Sequence, residues 1–143
     1  MNKYVVIGLI VVVVLAGGII YKQFLLPKAS IPVTTGKVRN INIVAKKDEW
    51  LFEPETIEIN RGDKVVATVV NEDDYDHGFA IDAFGVSQRM PANGTITVEF
   101  IATQAGDFPF YCSVPCGEGI VNGVKRTHFD MIGKFRVASE MEK

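Results

Sequence analysis

"WLFEPETIEINRGDKVVATVV", residues 50–70, decides the fold of this chain. Within it "TIEI", residues 56–59, alternates polar and apolar side chains, the two-residue period of a strand with one face buried. "KVVATVV", residues 64–70, is β-branched and almost wholly apolar, the composition of a strand buried on both faces. "NRGD", residues 60–63, supplies turn chemistry between them. The same pattern recurs outward. "TITVEF", residues 95–100, alternates in the same way, and "PANG", residues 91–94, is a second turn. Further short strands are expected at 38–45, 79–82, 108–112 and 132–137, and no stretch beyond residue 36 carries a helical stripe. Seven or so short strands in about 105 residues predict an all-β domain, a β-sandwich. A domain of that size buries a core without disulfide staples.

Before this domain stands "YVVIGLIVVVVLAGGIIY", residues 4–21, 18 residues without a charge. At about 1.5 Å per helical residue it nearly crosses a hydrocarbon layer of roughly 30 Å. The following "LAGGIIYKQF" returns to bulky residues instead of a small-residue cleavage site, so a retained single-pass anchor is expected over a signal peptide. Lys3 and Lys22 flank both ends, so charge alone does not orient the helix. The expected organisation is an anchor at 1–22, a linker at 23–36 containing two prolines, and a domain at 37–143. From Lys37 onward there are 12 basic and 17 acidic residues, a net charge of −5. That balance disfavours nucleic acid and suits a basic partner.

The chain of 143 residues has two cysteines and two histidines. Cys112 and Cys116 sit in one turn, "YCSVPCGEG", residues 111–119. His77 follows the strand at 64–70, and "HFDMIG", residues 128–133, places Met131 three residues after His128. Thiolate and thioether are soft ligands and imidazole is borderline, a set that copper prefers. A single blue-copper site needs two histidines, one cysteine and a methionine, so this chain has one cysteine too many. The surplus is accounted for if both thiolates bridge two coppers. Each metal then takes one of His77 and His128, with weak contacts from Met131 and from a backbone carbonyl of the turn, best supplied by Val114. A disulfide in so small a loop would gain little from closure. A mononuclear copper shuttle, a copper-delivery module and a disulfide-stapled interaction domain remain the alternatives. No nucleophile elbow surrounds Ser87 or Ser113, and no glycine-rich phosphate loop is present.

"DHGFAI" at 76–81, "YCSVPCGEG" and "HFDMIG" resemble the signature of the CuA domain of cytochrome oxidase subunit II. Residues 50–65 resemble the strand and Gly-Asp turn that lead to the first histidine of many cupredoxins. The likeness spans about residues 36–138. With one helix before the domain, the chain resembles the single-anchor subunit II of some prokaryotic oxidases. The resemblance implies a Greek-key cupredoxin sandwich facing the outside of the membrane. It implies two copper ions held by His77, Cys112, Val114, Cys116, His128 and Met131. It also implies a cytochrome c or small copper protein as donor and a heme-bearing integral membrane subunit as acceptor, with no bond chemistry in this chain.

One stretch departs from the family pattern, in which a histidine follows the second cysteine after a few residues. Here "GEGIVNGVKRT", residues 117–127, intervenes, and Ile120 stands where that histidine would fall. "IVNGVKR" is expected to form an inserted β-hairpin turning at Asn122-Gly123, whose closed ends would let His128 reach the site. A remodelled site recruiting Glu118 or Asp130 is the alternative. Trp50 reads as a core aromatic, or as a group assisting electron uptake. "NEDDYD", residues 71–76, reads as a solvated turn, or as an acidic docking patch for a cationic cytochrome.

Overall fold

In the computed structural model, residues 2–25 and 36–139 are described. The first segment is a helix, α1 (Lys3–Ile20), started by Asn2, whose side chain accepts the Tyr4 N–H at 3.2 Å. It runs on as a π-helical turn, Tyr21–Leu25. None of its residues is buried, and it is the one helix among the described residues long and apolar enough to cross a membrane. Most of the linker expected at 23–36 lies outside the described residues.

The second segment is all β. Its strands are β1 (Val38–Ala45), β2 (Phe52–Glu53), β3 (Thr56–Asn60), β4 (Lys64–Asn71), β5 (His77–Ile81) and β6 (Val86–Met90). They are followed by β7 (Thr95–Ile101), β8 (Gly106–Tyr111), β9 (Glu118–Val121), β10 (Val124–Thr127) and β11 (Ile132–Ala138). One sheet has the order β2-β1-β4-β7 and the other β3-β11-β8-β5-β6, with β9 and β10 as a separate hairpin. Parallel pairing of β1 with β4 and of β3 with β11 sits among otherwise antiparallel neighbours. This is the β-sandwich that the strand spacing predicts.

The core follows from the two-residue period. Ile57 and Ile59 on β3, Val65, Ala67 and Val69 on β4, and Phe135 and Val137 on β11 all point inward. Phe52, Phe79 and Phe110 meet with ring centroids 5.5 to 5.7 Å apart, and Phe135 joins them 5.2 Å from Phe110. Such offset and edge-on aromatic pairs add about 0.5–1.5 kcal/mol each beyond the area they bury. The cluster fixes β5, β8 and β11 side by side.

Strand β4 differs from its reading in one respect. Val65, Ala67 and Val69 are fully buried, but Val66, Thr68 and Val70 are only half-buried. A two-layer sandwich has no third layer to cover the outer face. Those β-branched residues are shielded by the flanking strands β1 and β7 instead. Strand β6 and the two-residue β2 escape the sequence pattern. β6 is an edge strand, "VSQRM", exposed at its three middle residues, so it has no alternation to read.

Candidate metal centre

Three strands converge on one end of the sandwich. His77 is the first residue of β5, Cys112 is the first residue beyond β8, and Met131 is the last before β11. The β8–β11 ladder pairs Tyr111 with Ile132. It continues one step further, because the Cys112 N–H donates to the Met131 carbonyl at 3.1 Å. Cys112 and Met131 are therefore placed by the sheet itself. Gly78 lets the cysteine turn lie flat on β5: a Cβ there would meet the Ser113 and Val114 backbone nitrogens at 2.8 Å and would overlap the Ser113 hydroxyl. The Gly78 N–H instead points at the Cys112 sulfur, 3.4 Å away.

The ligating atoms of His77, Cys112 and Cys116 all lie within 4.8 Å of one another. His77 Nδ1 is 3.7 Å from the Cys112 sulfur, and the two sulfurs are 3.6 Å apart, far beyond the ~2.05 Å of a disulfide. The Val114 carbonyl is 3.1 Å from the Cys112 sulfur, and the Met131 sulfur is 3.7 Å from that of Cys116. His128 lies outside the 4.8 Å group. Its Nδ1 is nevertheless buried and without a hydrogen-bond partner, and a buried imidazole nitrogen needs one.

Electrostatics divide the two thiols. Burial pushes Cys112 up, but its hydrogen bonds with His77 and the Gly78 N–H outweigh that and hold it below the ordinary thiol range. Burial and then the neighbouring Cys112 push Cys116 up to about 12. His77 is lowered by burial and raised more by its bonds with Cys112 and Asp73, so its affinity for a proton is higher than usual. A site with one thiolate-prone cysteine, a second soft sulfur beside it and a neutralisable imidazole has the donors that a soft metal takes.

The long segment between Cys116 and His128 is the expected hairpin. Val121 pairs with Val124, and both Asn122 (φ 51°) and Gly123 (φ 79°) are left-handed, as a type I′ turn requires. Glu118 pairs with Thr127 at its base. The His128 N–H donates to the Gly117 carbonyl at 3.2 Å, so the insertion returns the chain to where it left. The carboxylates of the remodelled alternative are engaged elsewhere. Glu118 pairs with Lys125 at 2.8 Å, and Asp130 accepts the Thr127 N–H at 2.7 Å to cap the 3₁₀ turn His128–Asp130.

The acidic turn is neither wholly solvated nor bare. Glu72, Asp74 and Asp76 are ion-paired with Lys46, Lys47 and Arg89. Asp73 is fully buried and bonds His77 Nε2 at 2.6 Å, a role that the run of acids in "NEDDYD" hides. Trp50 is 8% exposed and lies against Gly119 at the hairpin base, where a Cβ would overlap the indole ring. It also stacks on Tyr75, with centroids 6.3 Å apart, and Tyr75 in turn lies 5.1 Å from His77.

A two-sheet β-sandwich with histidine, cysteine and methionine gathered where strands end defines a cupredoxin-type domain with a soft-donor metal site. The comparison of sequences agrees: the chain belongs to the cupredoxin-like domain family, whose model matches residues 10–121. The match ends before His128 and Met131. The chain is also similar to the nitrous-oxide reductase of Stutzerimonas stutzeri, 29% identical over 89 residues, or 60% of this chain. It spans only 13% of that relative's length. Among solved structures, a chain of a heme-copper terminal oxidase dimer superposes with a TM-score of 0.58 at 20% identity. The overlap covers 94% of this chain and 97% of that one. Auracyanin A, a "blue" copper protein of Chloroflexus aurantiacus, superposes with a TM-score of 0.56 at 19% identity, covering 70% of this chain and 98% of that one. At these identities the structural likenesses establish the fold.

Proposed function

We propose that this chain is an electron-transfer subunit that holds two copper ions in a binuclear, CuA-type centre. The observation that carries the reading is the pair of unbonded sulfurs, Cys112 and Cys116, 3.6 Å apart, with His77 Nδ1, the Val114 carbonyl and the Met131 sulfur all within 3.7 Å of one or the other. A mononuclear site has no use for the second thiol. His128, with its buried and unpartnered Nδ1, is the second imidazole of the proposal. When bound, copper accepts and releases one electron at a time. The chain's own part is to keep the donors still. Cys112 and Met131 are locked by the β8–β11 ladder, His77 by β5, and the turn by its seat on Gly78. A donor set held by a rigid sandwich changes little in geometry as charge arrives, which favours rapid transfer.

The further assignments extend this reading. Residues 1–22 serve as a membrane anchor, 23–36 as a linker and 37–143 as the copper domain on the outer side. A cytochrome c or small copper protein delivers electrons, and a heme-bearing integral membrane subunit receives them. Similarity to a chain of a heme-copper terminal oxidase over 94% of the sequence supports the oxidase reading. A mononuclear shuttle is the second reading, favoured by His128 standing outside the 4.8 Å group. Copper content of the loaded full-length chain decides between them: two ions per chain are expected, and one per chain would establish the shuttle.

A further inference from the structure

We infer that Asp73 is the positioning residue of the copper site, acting through His77; the inference rests on the copper reading above. Asp73 Oδ2 lies 2.6 Å from His77 Nε2, and neither side chain is more than 1% exposed. The other ring nitrogen, Nδ1, faces the Cys112 sulfur at 3.7 Å. Each nitrogen thus has one assignment. The carboxylate accepts the Nε2–H, which leaves Nδ1 unprotonated toward the sulfurs. A metal-binding imidazole commonly donates its second N–H to a carboxylate, which fixes the tautomer and the ring orientation and raises ligand basicity.

The carboxylate is itself held from several directions. Its Oδ1 accepts the Asp48 N–H at 2.7 Å, its own N–H donates to Asn71 Oδ1 at 3.0 Å, and its carbonyl accepts the Asn93 N–H at 2.8 Å. Asn71, fully in place through bonds to the Tyr75 and Pro91 carbonyls, closes the turn around it. Asp48 (φ 55°) and Trp50 (φ 49°) both adopt the left-handed backbone that non-glycine residues rarely take. Strain of that kind persists where the surroundings over-determine it, and it concentrates at functional sites. The loop that offers its N–H to Asp73 is such a place. Asp73 is therefore a buried, immobile negative charge one hydrogen bond from a copper ligand. It stabilises the more positive, oxidised centre relative to the reduced one.

The test uses the full-length chain in detergent, loaded with copper, as wild type and as Asp73→Asn. The asparagine keeps the shape and can still accept the Nε2–H, so the expected result is a folded, copper-loaded protein with a higher reduction potential. A tenfold change in the relative affinity for the two oxidation states is expected, about 59 mV for one electron. The hyperfine pattern of the paramagnetic signal should change with it. An Asp73→Asn protein with wild-type potential and spectrum overturns the inference and leaves Asp73 a structural residue of the loop. If Asp73→Asn does not fold, ¹⁵N NMR of the His77 ring in the reduced wild-type protein decides instead. A protonated Nε2 supports the inference, and a protonated Nδ1 overturns it. A wild-type chain that takes up no copper overturns the copper reading itself, an outcome distinct from either of these.

Discussion

The two sides of the candidate metal centre are built differently. On one side His77, Cys112 and Met131 are extensions of sandwich strands, held by the β8–β11 ladder and backed by the Phe52–Phe79–Phe110 cluster. On the other, His128 arrives at the end of a hairpin and sits in a single 3₁₀ turn capped by Thr127 and Asp130. The first side inherits the rigidity of the core. The second depends on a local capping box and on one backbone bond, Gly117 to His128. A fold can therefore accept eleven residues between two candidate ligands, Cys116 and His128, provided that the insertion closes on itself before the second begins.

The largest effect expected is on the strand-held side. Cys112→Ser removes a thiol that touches His77, Val114 and Cys116 together, and it should lower copper content from two ions per chain to one or none, as measured by elemental analysis. Gly78→Ala comes next. Its Cβ would meet backbone atoms of Ser113 and Val114 that have no room to yield. A loss of about 1–3 kcal/mol in denaturant unfolding is expected, together with weakened copper retention.

The hairpin side should prove more forgiving. Gly123→Ala forces a side chain into φ 79° and should cost about 1 kcal/mol, confined to the hairpin and visible as faster amide exchange in β9 and β10. Copper content should stay at the wild-type value, because the Gly117–His128 bond closes below the turn. The smallest effect is expected from Lys125→Gln. Its partner Glu118 is about as exposed as Lys125 itself, and exposed ion pairs contribute about 0–1 kcal/mol. Copper content and reduction potential should not move. A drop in copper for either hairpin variant as large as for Gly78→Ala would erase the distinction between the two sides.

The same division governs what could be read from sequence. Alternation along 56–59 and 95–100 exposed β3 and β7, since half-buried strands write their period into the side chains. The Asn122-Gly123 pair exposed the hairpin, since few other dipeptides suit two left-handed positions in succession. β6 left no trace because an exposed edge strand has no buried face to encode. The ligand-type residues were legible because thiols and imidazoles are few in this chain. Asp73 was not. Among the four acids of 71–76, only the fold shows that one turns inward to His77 while Glu72, Asp74 and Asp76 find cationic partners at the surface. The supporting contact of Trp50 with Gly119 is likewise a tertiary matter, because the two lie 69 positions apart in the chain.

In the proposed centre, the two thiols of one turn are shared by two metals. Electron paramagnetic resonance of the oxidised, copper-loaded full-length chain tests it most directly. One unpaired electron distributed over two copper nuclei is expected. A signal localised on a single copper nucleus would contradict it.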